Sequence, residues 1–102
     1  MPKPGDDKAG WEAECHPKAA REIQQLSRSI RERIKRVIER LQENPLLGKP
    51  LVGRLQGYRS QRVGDYRIVY LIEERAKPKK LFILHVGPRG GAYSRARRSK
   101  GH

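Results

Sequence analysis

The sequence has a single cysteine, Cys15, among its 102 residues. An intrachain disulfide is therefore excluded, and the fold must depend on its core. Because Cys15 lies in a short alternating stretch, we expect it to be a small core residue. No apolar run approaches the roughly 20 residues that a membrane-spanning helix needs, and no secretory signal is visible. We therefore expect a cytoplasmic protein with no membrane partner.

Acidic residues are scarce in the second half of the chain. The formal net charge is +13, and residues 54–98 carry 12 basic side chains against 3 acidic ones, whereas residues 1–53 carry 11 against 8. An excess of this kind favours a polyanionic partner, above all nucleic acid. The alternative is a highly charged surface that only keeps the protein in solution. Although only 35% of the residues are hydrophobic, they fall into periodic segments, which favours a folded domain over disorder.

Metal-binding motifs and the common catalytic motifs are also missing. The three histidines are dispersed, and the chain contains no HxxxH, no CxxC, no phosphate loop and no serine elbow. We therefore predict no metal and no cofactor. His85, within "LFILHVG", is more typical of a hydrogen-bonded structural histidine than of a catalyst, but it is the one candidate for an acid or base.

Hydrophobic periodicity predicts two helices after a short first strand. The stretch "WEAEC" alternates as a half-buried strand does, and a helix begins at "HPKAAREIQQLS". The spacing of Ser29 and Glu32 is that of a capping box, so we expect a break at Ser27–Ser29 and a second helix after it. The apolar residues of the second helix share one face, as an amphipathic helix requires: Ile30, Ile34, Val37, Ile38 and Leu41.

The rest of the chain predicts a small antiparallel sheet. Residues 45–57 contain two prolines and three glycines and are typical of a connection. Strands follow at about 58–63, 66–73 and 80–87, joined by short turns. The order β-α-α-β-β-β predicts an α+β domain with two N-terminal helices packed on a mainly antiparallel sheet. We divide the chain into a flexible N-terminus (1–10), a single domain (11–93) and a basic flexible tail (94–102).

Arginines gather in and beside these strands. Arg67 is the one charged residue at the start of an otherwise apolar row, Arg62 can meet it across the hairpin, and Arg89 leaves the last strand near the same edge. Guanidinium groups repel one another unless an anion lies between them, and arginine binds phosphate through paired hydrogen bonds. The spacing favours a phosphate site over local ion pairs, because the second half of the chain offers few acids: Asp65, Glu73 and Glu74.

The stretch "YRSQRVGDYRIVYLI" followed by "LFILHVGPRGGAY" resembles the RelE/ParE toxin superfamily of bacterial and archaeal toxin–antitoxin pairs. The resemblance covers about residues 11–95 and extends to the order of the elements. It implies a compact RelE-like fold with a curved sheet. For the RelE branch it implies cleavage of messenger RNA in the ribosomal A site. The implied partners are a cognate RelB-like antitoxin, mRNA on the ribosome and ribosomal RNA.

The resemblance also implies roles for particular residues. Arg67 and Arg89 would match the two arginines that hold the scissile phosphate, and Tyr93 would match the tyrosine that stacks on or orients an RNA base. The RNA would supply its own nucleophile, the 2′-hydroxyl next to that phosphate. Further contacts to RNA or phosphate are assigned to three basic residues: Arg59, Arg62 and Arg95.

The sequence departs from the family pattern at the groups that transfer protons. The RelE branch carries lysines on the strand before "DYR", where this chain has "RSQR", and many relatives carry a histidine where this chain has Pro88. Arginine is a poor general base because its pKa is near 12.5 or above. No obvious Glu–His pair replaces these groups. Two other functions therefore stay open: a ParE-type toxin that inhibits DNA gyrase without nuclease activity, and a non-catalytic basic RNA-binding protein.

Overall fold

A computed structural model describes residues 11–88. The predicted N-terminal segment 1–10, the tail 94–102 and the site residues Arg89, Tyr93 and Arg95 lie outside the described residues. Two short 3₁₀ turns lie at Pro45–Leu47 and Gly53–Leu55. The helices and strands are β1 (Trp11–Cys15), α1 (Pro17–Gln24), α2 (Arg28–Glu43), β2 (Lys49–Pro50), β3 (Tyr58–Val63), β4 (Tyr66–Glu73) and β5 (Lys79–Pro88).

The strands form one sheet in the order β1-β5-β4-β3-β2. β1 pairs with β5 in parallel, and the other three pairs are antiparallel. The predicted α+β architecture is confirmed, and the three long strands agree with their predicted ranges to within one residue. β2 was not predicted, because its two residues lie in the Pro- and Gly-rich connection. Pro50 is tolerated there because β2 is an edge strand.

Ser27 determines where α2 begins. Its Oγ accepts a hydrogen bond from the amide of Ile30 at 3.4 Å, as an N-cap serine does. The predicted capping box at Ser29 is therefore wrong, since Ser29 lies inside the helix. Neither α1 nor α2 is long and apolar enough to cross a membrane, and these are the only α-helices among the described residues.

The apolar stripes of α1 and α2 pack on one side of the sheet, which we call the helix face. Cys15 is not part of this core, because it is the last residue of an edge strand and its side chain is exposed. The expectation of a buried cysteine is therefore wrong. The buried cluster consists of Ala19, Ile34, Leu41, Val63, Ile68, Tyr70, Leu81, Ile83 and Val86.

Tyr70 and Arg59 anchor the connection that follows α2. The buried Tyr70 hydroxyl accepts a hydrogen bond from the amide of Gly48 at 3.0 Å and donates one to the carbonyl of Pro45. Burial raises the pKa of Tyr70, which keeps this hydroxyl a neutral donor. The Arg59 guanidinium donates to the carbonyls of Gly48 and Leu46. These bonds hold β2 beside β3, where it forms one wall of the candidate site.

Candidate functional site

Two arginines lie opposite each other across the β3–β4 hairpin. Gly64 and Asp65 form the turn, and the register pairs Arg62 with Arg67. Gly64 has a φ of +60°, a conformation that favours glycine. Because Ile68 points into the core, its neighbour Arg67 lies on the other side of the sheet, which we call the distal face. Directly opposed residues have Cβ atoms about 5 Å apart, so the hairpin brings both arginines to one place.

The two arginines differ in how firmly they are held. Arg67 is partly buried, and its Nε and Nη1 atoms are buried. Arg62 is exposed, and its Nε donates to the carbonyl of Gly64 at 3.3 Å. A guanidinium that is already restrained loses less conformational freedom when it binds an anion. Arg67 is therefore the better-organised anion ligand of the pair, and Arg62 the more accessible one.

A groove of about 460 Å³ opens beside these arginines, at the edge where β2 meets β3. We call it the central groove. Its positive charges and neutral polar groups suit a phosphate, and its apolar wall suits the base or sugar of a nucleotide. The polar lining consists of Lys49, Ser60, Gln61, Arg62 and Arg67, and the apolar wall consists of Leu47, Pro50 and Leu51.

Arg59 does not line the central groove. It pairs with the buried Tyr70 on the helix face, and its guanidinium is bound to the carbonyls of Gly48 and Leu46. In the described structure Arg59 thus stabilises the connection after α2. Its contact with RNA stays a prediction.

His85 lies against a carboxylate that the sequence did not reveal. Its Nδ1 is 3.0 Å and 3.2 Å from the two carboxylate oxygens of Glu22, and the amide of Val86 donates to the same carboxylate at 3.0 Å. β1 pairs with β5 only as far as Cys15 and Ile83. Beyond that point the outer edge of β5 has no neighbouring strand among residues 11–88, and Glu22 from α1 occupies it. No Glu–His pair was obvious in the sequence, but the fold brings Glu22 and His85 together.

The Glu22 carboxylate determines which nitrogen of His85 can transfer a proton. A carboxylate only accepts hydrogen bonds, so Nδ1 is the donor. Nε2 is then the nitrogen that takes up or releases a proton. It is buried and has no hydrogen-bond partner among residues 11–88. Lys18 lies beside the pair, with Nζ 2.9 Å from Glu22 Oε2 and 3.2 Å from Nδ1. Its hydrogen bond goes to the carboxylate, because Nδ1 already carries a proton.

Gly87 places the imidazole next to Arg67. Gly87 is the cross-strand partner of Arg67, and Nε2 of His85 lies 2.9 Å from the position that a Cβ atom of Gly87 would take. A side chain there would displace the ring. Cross-strand partners lie about 5 Å apart, so His85 and Arg67 border the same patch of the distal face. A cation and an oriented base are thus neighbours.

At Glu22, hydrogen bonds and nearby charges lower the pKa of the carboxyl by more than burial raises it. Burial alone would raise the pKa of its carboxyl. The hydrogen bonds from the Val86 amide and Lys18, together with the electrostatic attraction of His85 and Lys18, hold the pKa below its ordinary value. The carboxylate therefore stays ionised at neutral pH, as the orientation of His85 requires.

We expect Glu22 to stabilise the fold at neutral pH and to lose this effect in acid. A carboxyl with a depressed folded-state pKa contributes stability that is fully present above its unfolded pKa, about 4.3 for glutamate. That stability is lost as the pH falls through the folded value. Glu22→Gln should therefore be less stable than wild type at about pH 5, and the difference should shrink below about pH 4. Urea unfolding at several pH values measures it, with exposed Glu39→Gln as the control. A difference that stays constant down to about pH 3 would contradict this linkage.

The other predicted site residues, Arg89, Tyr93 and Arg95, lie beyond the last described residue, Pro88. Their roles therefore stay predictions. Within residues 11–88 no three His, Cys, Asp or Glu side chains gather where a metal ion could bind. The predicted independence from metals and cofactors likewise stays a prediction.

Comparison with known proteins shows where this chain belongs. The family model described as "ParE toxin of type II toxin-antitoxin system, parDE" matches residues 13–93. Toxin RelE of Mycobacterium tuberculosis is 39% identical over 77 residues, which are 74% of this chain and 77% of that protein. The toxin–antitoxin complex RelBE2 of the same organism contains a chain that is 31% identical, with a TM-score of 0.64 over 76% of this chain and 96% of that one. The isolated E. coli RelE toxin, at 21% identity and a TM-score of 0.64, covers 86% of this chain and 96% of that one, and it shares the fold. The chain belongs to the RelE/ParE family and is a toxin of a type II toxin–antitoxin system.

Proposed function

We propose that this toxin is a ribosome-dependent endoribonuclease that cleaves mRNA by attack of a 2′-hydroxyl on the adjacent phosphate. One observation carries the proposal: the Arg62–Arg67 pair and the Glu22–His85 pair border the same patch of the distal face. Toxin RelE of Mycobacterium tuberculosis, at 39% identity, supports the RelE branch. The Glu22 contact gives His85, the one acid or base candidate of the sequence analysis, the orientation that proton transfer requires.

In the proposed reaction the arginines stabilise charge. The 2′-oxygen bonds to phosphorus, and negative charge builds up on the non-bridging oxygens before the bond to the 5′-oxygen breaks. Preorganised cations aimed at such oxygens are usually the largest single contribution to catalysis. Arg67, which is restrained by burial, is proposed to bind the scissile phosphate. Arg62 is proposed to neutralise charge on the same phosphate or on the next one.

His85 is proposed to be the general base. Its Nε2 takes the proton of the 2′-hydroxyl while Glu22 holds the ring and stabilises the imidazolium that forms. The 5′-oxygen leaves and takes a proton from water, and the imidazolium later releases its proton to solvent. The products are a 2′,3′-cyclic phosphate and a 5′-hydroxyl. Because Nε2 is covered in the free chain, the proposal requires that RNA binding makes this nitrogen accessible.

The remaining predicted residues keep their proposed roles. Arg89 is the second arginine on the scissile phosphate, and Tyr93 stacks on an unpaired base, as aromatic side chains do in RNA recognition. Arg59 and Arg95 contribute further RNA contacts. The reaction as proposed uses no metal and no cofactor.

The proposed protein partner is a RelB-like antitoxin. The 31% identical relative from Mycobacterium tuberculosis is solved as a toxin–antitoxin complex. The net charge of +13 on this chain suits an acidic antitoxin segment that folds when it binds. The proposed location is the cytoplasm, where translating ribosomes and the antitoxin meet the toxin.

A ParE-type toxin that inhibits DNA gyrase is the second candidate, because the matching family model is named for ParE. The two functions separate when the purified chain is added to mRNA-programmed ribosomes and, in parallel, to gyrase with relaxed plasmid DNA. We expect mRNA to be cut only when ribosomes are present, while supercoiling proceeds normally. Inhibited supercoiling with intact mRNA would establish the ParE-type function. RNA binding with neither effect would establish a non-catalytic RNA-binding protein.

A further inference from the structure

We propose that a second groove, adjoining the central groove, binds the phosphates of the mRNA that flank the scissile one. It has a volume of about 320 Å³ and lies between α2 and the tip of the β3–β4 hairpin. The assignment rests on the proposed function and adds a separate binding site to it. We call this the arginine groove, after its lining residues Arg33, Arg36, Arg40 and Arg62, of which Arg33 and Arg62 lie at Gly64.

Three of these arginines form a stripe along α2. Residues 33, 36 and 40 are spaced i, i+3 and i+7, which aligns their side chains on one side of a helix. At a rise of 1.5 Å per residue the stripe is about 10 Å long. Its arginines make no ion pair with any described residue. The glutamates of α2 follow a neighbouring stripe: Glu32, Glu39 and Glu43. In the sequence, their alternation with the arginines is typical of an ordinary solvated helix face.

The hairpin turn brings the fourth arginine to this stripe. An Nη2 atom of Arg33 lies 2.9 Å from the position of a Cβ atom on Gly64. Arg62, on β3, donates to the carbonyl of the same glycine. Two guanidinium groups thus flank a turn that has no side chain between them. Asp65, the nearest acid in sequence, forms no ion pair within residues 11–88. Gathered cations that form no ion pairs favour a bound anion.

The position and the lining of the groove favour RNA over an acidic protein segment. Arg62 lines both grooves, so a strand whose phosphate lies at Arg67 continues past Arg62 into the arginine groove. Its apolar lining is limited to Val37 and Val63. Protein interfaces usually depend on a buried apolar or aromatic centre, which this groove does not offer. A track of arginines alone is typical of contacts with a phosphate backbone.

The test measures binding of uncleavable RNA to the purified full-length chain. Oligonucleotides with 2′-O-methyl groups, 4 or 12 nucleotides long, are titrated by fluorescence anisotropy at several salt concentrations. The variant Arg33→Gln/Arg36→Gln/Arg40→Gln should bind the 12-mer on the order of tenfold or more weakly, with a salt slope lower by about 2, since each lost phosphate contact removes about 0.7. Binding of the 4-mer, which fills only the central groove, should not change. The matched control, Arg54→Gln/Arg75→Gln/Lys77→Gln, removes the same charge outside both grooves.

Several results would overturn the proposal. One such result is that the triple variant binds the 12-mer as tightly as the wild-type chain does. Another is that the control variant loses as much affinity for the 12-mer as the triple variant, or that the triple variant loses as much affinity for the 4-mer as for the 12-mer. A selective loss of affinity for mRNA-free ribosomes would assign the groove to ribosomal RNA, and a selective loss for an acidic antitoxin would assign it to protein. Thermal unfolding of each variant shows whether its fold is intact. The oligonucleotides cannot be cleaved, so their binding affinity does not depend on nuclease activity. The binding test therefore keeps its meaning even if the ribosome assay shows no cleavage.

Discussion

Replacing Arg67 by alanine is expected to slow mRNA cleavage on the ribosome by about 10²–10³-fold, the usual loss when one preorganised donor to developing negative charge is removed. Arg67 faces Arg62 across the hairpin and lines the central groove. Arg67→Lys keeps the charge but loses the paired hydrogen bonds, so a loss of roughly tenfold is expected. Single-turnover cleavage of mRNA on programmed ribosomes measures both effects.

Three controls separate this chemical role from a structural one. Nε and Nη1 of Arg67 are buried, so truncation at this position also affects packing. The lysine variant keeps a long side chain at this position, and the unfolding temperature of each protein shows how much stability the loss of packing costs. Arg75→Ala, in the exposed loop between β4 and β5, controls for the loss of one positive charge. Cleavage by a folded Arg67→Ala protein at the wild-type rate would remove this arginine from the mechanism.

Replacing His85 by glutamine is expected to slow cleavage by about 10²–10⁴-fold, the range that a positioned general base contributes. Glutamine retains a donor for Glu22 but cannot accept and release a proton near neutral pH. Gly87→Ala tests the same base without removing it, because the added methyl would lie 2.9 Å from Nε2 and 3.0 Å from Cε1. The ring must then move, and a large loss of cleavage is expected although Arg67 and Glu22 are unchanged.

His16→Gln is the matched control, because His16 is exposed and its Nδ1 accepts from the amide of Lys18 at the start of α1. The same single-turnover assay applies to all three variants. If His85→Gln and Gly87→Ala both cleave as fast as wild type, another group moves the proton and the Glu22–His85 pair is structural.

The part of the site that depends on local pattern was predictable from sequence. Strand alternation and the two-residue turn at Gly64-Asp65 together place Arg62 opposite Arg67, and the register confirms this. The same alternation also separates residue 59 from residue 62, since positions three apart on a strand point to opposite faces. The alternation thus indicated that Arg59 lies on the face opposite Arg62, and the structure places it there, on the helix face.

The Glu22–His85 contact was not predictable in this way, because it joins residues 63 positions apart. It depends on where β1 ends along β5. It also depends on a register shift between Val69 and Tyr70, which leaves Leu84 without a partner on β4. Neither feature has a local sequence signature. The arginine stripe of α2 did have one, the spacing of residues 33, 36 and 40, but the glutamates beside it suggested an ordinary solvated face.

The most direct test of the account is cleavage of an mRNA that carries one 2′-deoxynucleotide immediately before the scissile phosphate. The purified wild-type chain is added to ribosomes programmed with this mRNA or with the all-RNA version, and the ends are mapped. Attack by the 2′-hydroxyl yields a 2′,3′-cyclic phosphate and a 5′-hydroxyl from the all-RNA message and no cut at the deoxy position. Equal cleavage of both messages, or intact all-RNA message, would contradict it.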